Sequence, residues 1–109
     1  MVEIKPYLEK MVARFADPNI QASLKGFTKT LMFTFTDSKE DWLLKTVDGK
    51  EATLVKETST TPDMTVITTT DVLSGIMDKK VNAMTAYMQR KIQTKGAMED
   101  LMKLQKIMM

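Results

Sequence analysis

The hydrophobic pattern changes period several times along the chain. Ile4, Tyr7, Leu8, Met11, Val12 and Phe15 recur at three- and four-residue steps, which predicts an amphipathic helix closed by Asp17-Pro18. Pro6 is tolerated in the first turn, where its missing N–H has no intrahelical partner. The stretch "NIQASLKG" can add one short turn of helix that stops at Gly26. From Thr28 the period falls to two: Leu31, Phe33 and Phe35 point one way, and Met32, Thr34 and Thr36 the other, as in a strand. After the turn "DSKED", the run "DWLLKTV" places Trp42, Leu44 and Thr46 on one face, and Asp48-Gly49 turns the chain into "KEATLVKET". The expectation is a three-stranded antiparallel meander.

The polar, proline-bearing "TSTTPD" then connects across the sheet to a fourth strand, "MTVITT". Thr69 or Thr70 can cap a helix carrying Val72, Leu73, Ile76 and Met77 and ending in "DKK". Asn82 can cap another, whose apolar face is read as Met84, Tyr87 and Met88. Lys91 to Lys95 alternate around Ile92 as a short fifth strand before Gly96. A last helix is predicted from Ala97 onward, with Met98, Leu101, Met102, Leu104 and Met108 on a broad apolar side. This order predicts an α+β fold in which helices cover one face of a sheet. Residues 1–109 are expected to form one domain, with a radius of gyration of about 13 Å.

Composition narrows the chemistry. The chain has no cysteine and no histidine, which excludes disulfides, thiolate or imidazole metal sites, and every Ser-His or Cys-His relay. No spacing among the carboxylates marks an acid/base pair. A non-enzyme without cofactor or metal is expected. The net charge of +2 comes from 16 basic and 14 acidic side chains spread along the chain, without the basic stripe that nucleic acid requires. No apolar run approaches the roughly 18 residues of a membrane span, and "MVEIKPYLEK" lacks the apolar core of a signal peptide, so a cytoplasmic setting is expected.

The string "PDMTVITTTDVLSGIMDKKVNAMTAYMQRKIQTKGAMEDLMKLQKIM" resembles the C-terminal half of the sterol carrier protein type-2 domain. In that family an alternating strand leads through a short helix to a pattern like G-K-L-N-P. An aromatic-x-x-G-K-L-K-I-x-G segment follows, and then a final M-x-x-A-x-K-L-Q helix. The tryptophan strand followed by Asp48-Gly49-Lys50 also matches, so the resemblance covers nearly the whole chain. Three positions depart from the family pattern, all at turns or helix ends. Lys79 and Arg90 stand where the family has glycine, and Ala83 replaces the proline after Asn82. The resemblance implies a five-stranded, mainly antiparallel sheet in order 3-2-1-4-5, about four to five helices over one face, and an apolar cavity between the layers.

On that basis the candidate ligand-binding residues are Phe33, Phe35, Trp42 and Leu44 as a cavity floor, with Phe15, Leu73 and Leu101 in the lining. Met77, Met84, Met88, Met98 and Met102 would form a methionine roof. Eleven methionines in 109 residues are unusual, and the thioether's flexibility suits guests of differing shape. The same residues can equally be gap-fillers in an ordinary core. Tyr87 can orient a ligand head or face solvent. Lys79, Lys80, Arg90, Lys91 and Lys95 form the densest basic patch, suited to transient contact with an anionic membrane surface or simply to solvation. The expected function is non-catalytic carriage of a fatty acid, fatty acyl chain or sterol-like lipid. The alternative is an interaction module in which the same apolar helix faces bind a partner or form a homodimer, with no ligand.

Overall fold

A computed structural model describes residues 2–97 and 102–103. Its elements are α1 (Lys5–Arg14), α2 (Pro18–Ser23), β1 (Thr30–Phe35), β2 (Glu40–Val47), β3 (Glu51–Val55), β4 (Met64–Thr68), α3 (Thr70–Met77), α4 (Ala83–Met88) and β5 (Gln93–Lys95). Residues 102 and 103 are helical and Ala97 is not; the other residues of the predicted last helix lie outside the described residues.

The strands form one five-stranded sheet in the order β3-β2-β1-β4-β5, as expected. Every pairing is antiparallel except β1 with β4, which is parallel. A parallel neighbour cannot be reached through a tight hairpin, so the chain crosses over between Val55 and Met64. Register places Phe33 opposite Trp42 on one side and Val66 on the other. Leu31, Phe33 and Phe35, Trp42 and Leu44, and Met64 and Val66 therefore share one face. Ile4, Leu8, Met11 and Phe15 of the N-terminal helix segment pack on this face in one buried cluster, with Leu73, Ile76 and Met77 from α3. Four helices are defined among the described residues, at the lower end of the expected range.

Local chemistry sets the joints. Asp17 caps α2, its carboxylate accepting from the Asn19 N–H at 2.8 Å, with Pro18 at the first helical position. Asp48 and Gly49 both adopt left-handed backbone (φ 55° and 65°), the conformation of a type I′ hairpin turn. A Cβ on Gly49 would stand 2.1 Å from the Leu24 carbonyl oxygen, so only glycine lets this hairpin tip dock against the end of α2. The Asp48 carboxylate completes the contact by accepting from the Gly26 N–H at 2.8 Å.

A second joint ties three distant segments together. Asp37, in the β1–β2 turn, accepts hydrogen bonds from the Thr70 N–H, the Thr70 hydroxyl and the Ser38 N–H. The fully buried Thr70 hydroxyl also accepts from the Val2 N–H at 2.9 Å. A carboxylate thus sits at the N-terminus of α3, where free N–H groups and the helix dipole favour negative charge. Thr69 caps the same helix through the Val72 N–H. Burial raises the Asp37 pKa, but these hydrogen bonds outweigh it and leave the group below its ordinary value of 3.8.

The Asp37→Ala variant is expected to lose about 1–2 kcal/mol of stability at neutral pH, a figure reduced for the partial exposure of the group. Since the folded pKa is depressed, this contribution is complete above the unfolded value and disappears as pH falls through the folded one. Urea unfolding of wild type and variant should give midpoints that converge in acid; a gap that persists at low pH would contradict the assignment.

Candidate functional site

The inner sheet face and the helices above it hold seven of the predicted ligand residues. Phe15, Phe33, Phe35, Leu44 and Leu73 are fully buried, and Trp42 and Met77 nearly so. The Phe33 and Phe35 rings, two residues apart on one strand, lie almost parallel with centroids 6.2 Å apart. Neither exposes surface that a water-sized sphere can touch. Met11 and Met64, not predicted as site residues, are buried in the same cluster as Met77. They lie one on a helix and one on a strand, so only register and packing could have brought them together.

One polar atom stands out in this interior. The indole Nε1–H of Trp42 is buried and finds no hydrogen-bond partner among the described residues. A buried donor left unsatisfied costs about 1–3 kcal/mol, which an acceptor arriving on a guest could recover. Beside it, at the β3 edge of the sheet, the Lys56 ammonium lies 5.9 Å from the Trp42 ring centroid. The same ammonium pairs with the Glu40 carboxylate at 2.6 Å. The Lys56 hydrogen bond is the leading cause of the lowered Glu40 pKa, ahead of opposing burial. With its cation already neutralised, this corner offers a neutral N–H donor in an apolar wall.

The predicted roof behaves differently. The sequence pattern turned Met84, Tyr87 and Met88 toward the sheet, but α4 buries its opposite side. Ala86 is 1% exposed and Ala83 packs against the core, while Met84, Tyr87 and Met88 are 54%, 46% and 76% exposed. Small alanines let this short helix lie close to the body, and that approach leaves the large side chains outside. Met102 is also exposed, and the neighbouring Lys103 ammonium lies 5.7 Å from the Phe27 ring centroid. Met98 and Leu101 fall outside the described residues.

A groove of about 460 Å³ opens on the other side of the sheet. Met32, Thr34, Thr65 and Ile67 form its floor, Ser59 and Thr60 of the crossover its wall, and Lys95 its rim. The Ser59 N–H donates to the Met32 sulfur at 3.4 Å, fastening the crossover over that face.

The three departures from the family pattern become legible in the backbone. Lys79 and Arg90 are left-handed, with φ of 61° and 60°. The Lys79 and Lys80 N–H groups donate to the Ile76 and Gly75 carbonyls, and those of Arg90 and Lys91 to the Tyr87 and Ala86 carbonyls. Both α3 and α4 therefore end in Schellman motifs whose left-handed position normally holds glycine. The turn shape is retained although the residue has changed. Ala83 occupies the first helical position behind Asn82, whose side chain caps the Thr85 N–H at 3.0 Å.

Comparison with known proteins agrees with this architecture. Over residues 8–109 the chain matches the SCP-2 sterol transfer family, and it belongs to that family. The solution structure of palmitated SCP2L2 from Aedes aegypti superposes with a TM-score of 0.77 at 22% identity, covering 98% of this chain and 95% of that one. The sterol carrier protein domain 2 of Helicoverpa armigera gives 0.75 at 18% identity, covering 96% and 84%. The stereoselective inverting sec-alkylsulfatase Pisa1 from Pseudomonas sp. gives 0.66 at 26% identity, over 81% of this chain. The match spans only 13% of that enzyme's chain, and 16% of its double mutant S233Y F250G. A search of curated proteins found no match.

A non-glycine residue in left-handed backbone costs roughly 1–2 kcal/mol, and glycine gives part of this back through its freer unfolded chain. Lys79→Gly and Arg90→Gly are each expected to raise the unfolding free energy by about 0.5–1 kcal/mol, read as a higher urea midpoint with unchanged slope. A lower midpoint in either variant would show that the turn is not strained.

Proposed function

We propose that the chain is a non-catalytic carrier that encloses an apolar guest, a fatty acid, fatty acyl chain or sterol-like lipid, between the sheet and its helices. Family membership supports the class of ligand, and the palmitated SCP2L2 neighbour supports an acyl chain as one guest for this fold. The observation that carries the reading is the aromatic and aliphatic inner face with a donor, Trp42 Nε1–H, that has no partner among the described residues set in its wall. Most of a guest's affinity would come from apolar burial, at about 25 cal/mol per Å², and the lone donor would orient a hydroxyl, ester or carboxyl oxygen.

Because the Phe33 and Phe35 rings expose no surface in the described state, a guest that reaches them must displace side chains on entry. Met11, Met64 and Met77 are suited to this, since an unbranched thioether repacks at little rotamer cost. The absence of histidine and cysteine from the whole chain supports carriage over catalysis. The alkylsulfatase match concerns a small part of a much longer enzyme, so a role for this chain beside a catalytic domain would be one of guest handling.

Two measurements test the proposal. Lipid should be extracted with the purified protein and identified by mass spectrometry, and a fluorescent fatty acid should be displaced by unlabelled competitors. The chain's only tryptophan is Trp42, so its emission should shift as the guest enters. Trp42→Phe keeps the apolar body and removes the donor. It is expected to weaken binding of an alkanol roughly two- to tenfold and to leave a headless hydrocarbon of equal length unaffected. Absence of both bound lipid and displacement at micromolar concentrations would refute the carrier reading, and a concentration-independent dimer without uptake would favour the interaction-module alternative.

A further inference from the structure

The groove behind the sheet belongs to the face that Phe33, Met64 and Val66 turn away from. Register fixes its floor. Met32 lies beside Thr65 and Thr65 beside Lys95 in one row across β1, β4 and β5; Thr34 lies beside Ile67 and Ile67 beside Gln93 in the next. Two apolar side chains and two hydroxyls therefore alternate over a shallow surface, with a lysine at one edge. The crossover that walls the groove is fastened at three places. Thr58 donates its hydroxyl to Asp41, the Ser59 N–H donates to the Met32 sulfur, and Asp63 accepts from Thr30. The concavity is thus preformed, which lowers the cost of binding there.

The charges around it are divided between engaged and free groups. Asp63, the carboxylate in the lining, accepts from the Thr30 N–H at 2.8 Å and from its hydroxyl at 3.2 Å. Asp41, paired with Thr34 on the same face, accepts from the Thr58 hydroxyl at 2.7 Å. The Lys95 ammonium, by contrast, has no carboxylate partner among the described residues, and the Thr34 and Thr65 hydroxyls have no hydrogen-bond partner among them. A cation and two uncommitted hydroxyls therefore line a space of about 460 Å³ whose carboxylates are turned to the protein's own donors. That volume lies within the range of small-molecule sites.

We propose that this groove is a second ligand site, for a small organic carboxylate with a flat apolar body. Thr65 and Lys95 are direct antiparallel neighbours, and such pairs have Cβ atoms about 5 Å apart on one face. One carboxylate can accept from the ammonium and the hydroxyl together, a charge-assisted pair of bonds. Met32, one strand spacing of about 4.8 Å further on, and Ile67, the next outward residue of β4, supply the apolar bed. The Met32 thioether adapts to a ring laid against it. The sheet itself separates this site from the interior, so the proposal stands whether or not the interior carries a guest.

The test follows the methionine methyl resonances of the full chain by NMR during titration with cinnamate, each resonance being assigned by its loss in a single Met→Leu variant. The Met32 methyl is expected to shift saturably while those of Met11, Met64 and Met77 hold still. Cinnamamide, a neutral ligand of the same shape, should bind about tenfold more weakly. Lys95→Met keeps the length of the side chain and removes its charge; it should weaken cinnamate about tenfold and leave cinnamamide unchanged. Thr65→Val should weaken cinnamate about threefold. The split between the two ligands is a reading that a merely structural role for Lys95 would not move. No saturable shift at Met32, equal affinity for cinnamate and cinnamamide, or undiminished cinnamate binding by Lys95→Met overturns the proposal. So does cinnamate that shifts the interior methyls in place of Met32, or palmitate that displaces it from Met32, since the groove would then have no ligand class of its own. Palmitate uptake reported by the interior methyls alone bears on the carrier reading, so the two proposals fail separately.

Discussion

The architecture depends on the constraint at β1, a strand that must satisfy hydrogen bonds on both edges and bury one face. Its antiparallel edge takes β2 through a short turn, but its other edge takes β4 in parallel, and that choice forces the crossover between Val55 and Met64. The crossover covers part of the outer face, and the helices are left to cover the inner one. With Phe33 paired to Trp42 and Val66, the centre of the sheet becomes the centre of the apolar interior. A register slip of one residue would bring Met32 and Thr34 inward and dismantle that interior.

Polar joints then orient the layers. Asp37 and Thr70 bring the β1–β2 turn, the start of α3 and the N-terminal segment to one point, and the Asp48-Gly49 tip does the same for the β2–β3 hairpin and the end of α2. These joints lie on different connections of the sheet, away from the Trp42 indole on its inner face. Lys79 and Arg90 trade in the other direction, giving up backbone ease at two helix ends and placing charge on the surface.

The methionines divide by environment. Met11, Met64 and Met77 belong to the interior, Met32 accepts a hydrogen bond on the outer face, and Met84, Met88 and Met102 face outward. A methionine-rich composition is thus divided between the interior and the surface. Composition could not separate them, because the side chain is the same in both.

Strand existence and strand faces were legible in the sequence because alternation has a period of two, and an apolar residue on a half-buried strand has only one side to go to. The caps at Thr69, one of two threonines the sequence offered, and at Asn82, and the Asp48-Gly49 turn, were legible for a similar reason, since each is a bond or dihedral within a few residues. The strand order was expected from the family resemblance; nothing in local periodicity distinguishes β4 beside β1 from β4 beside β3. The apolar spacing of Met84, Tyr87 and Met88 does not mark the inward face of α4, a helix only six residues long. Which side such a helix buries depends on how closely its backbone can approach the sheet, and there Ala83 and Ala86 outweigh two methionines and a tyrosine. The unpartnered Trp42 donor, the meeting of Met11 and Met64 in one cluster and the outer-face groove are likewise tertiary facts. They arise where segments distant in sequence meet, and no window along the chain contains both sides of such a contact.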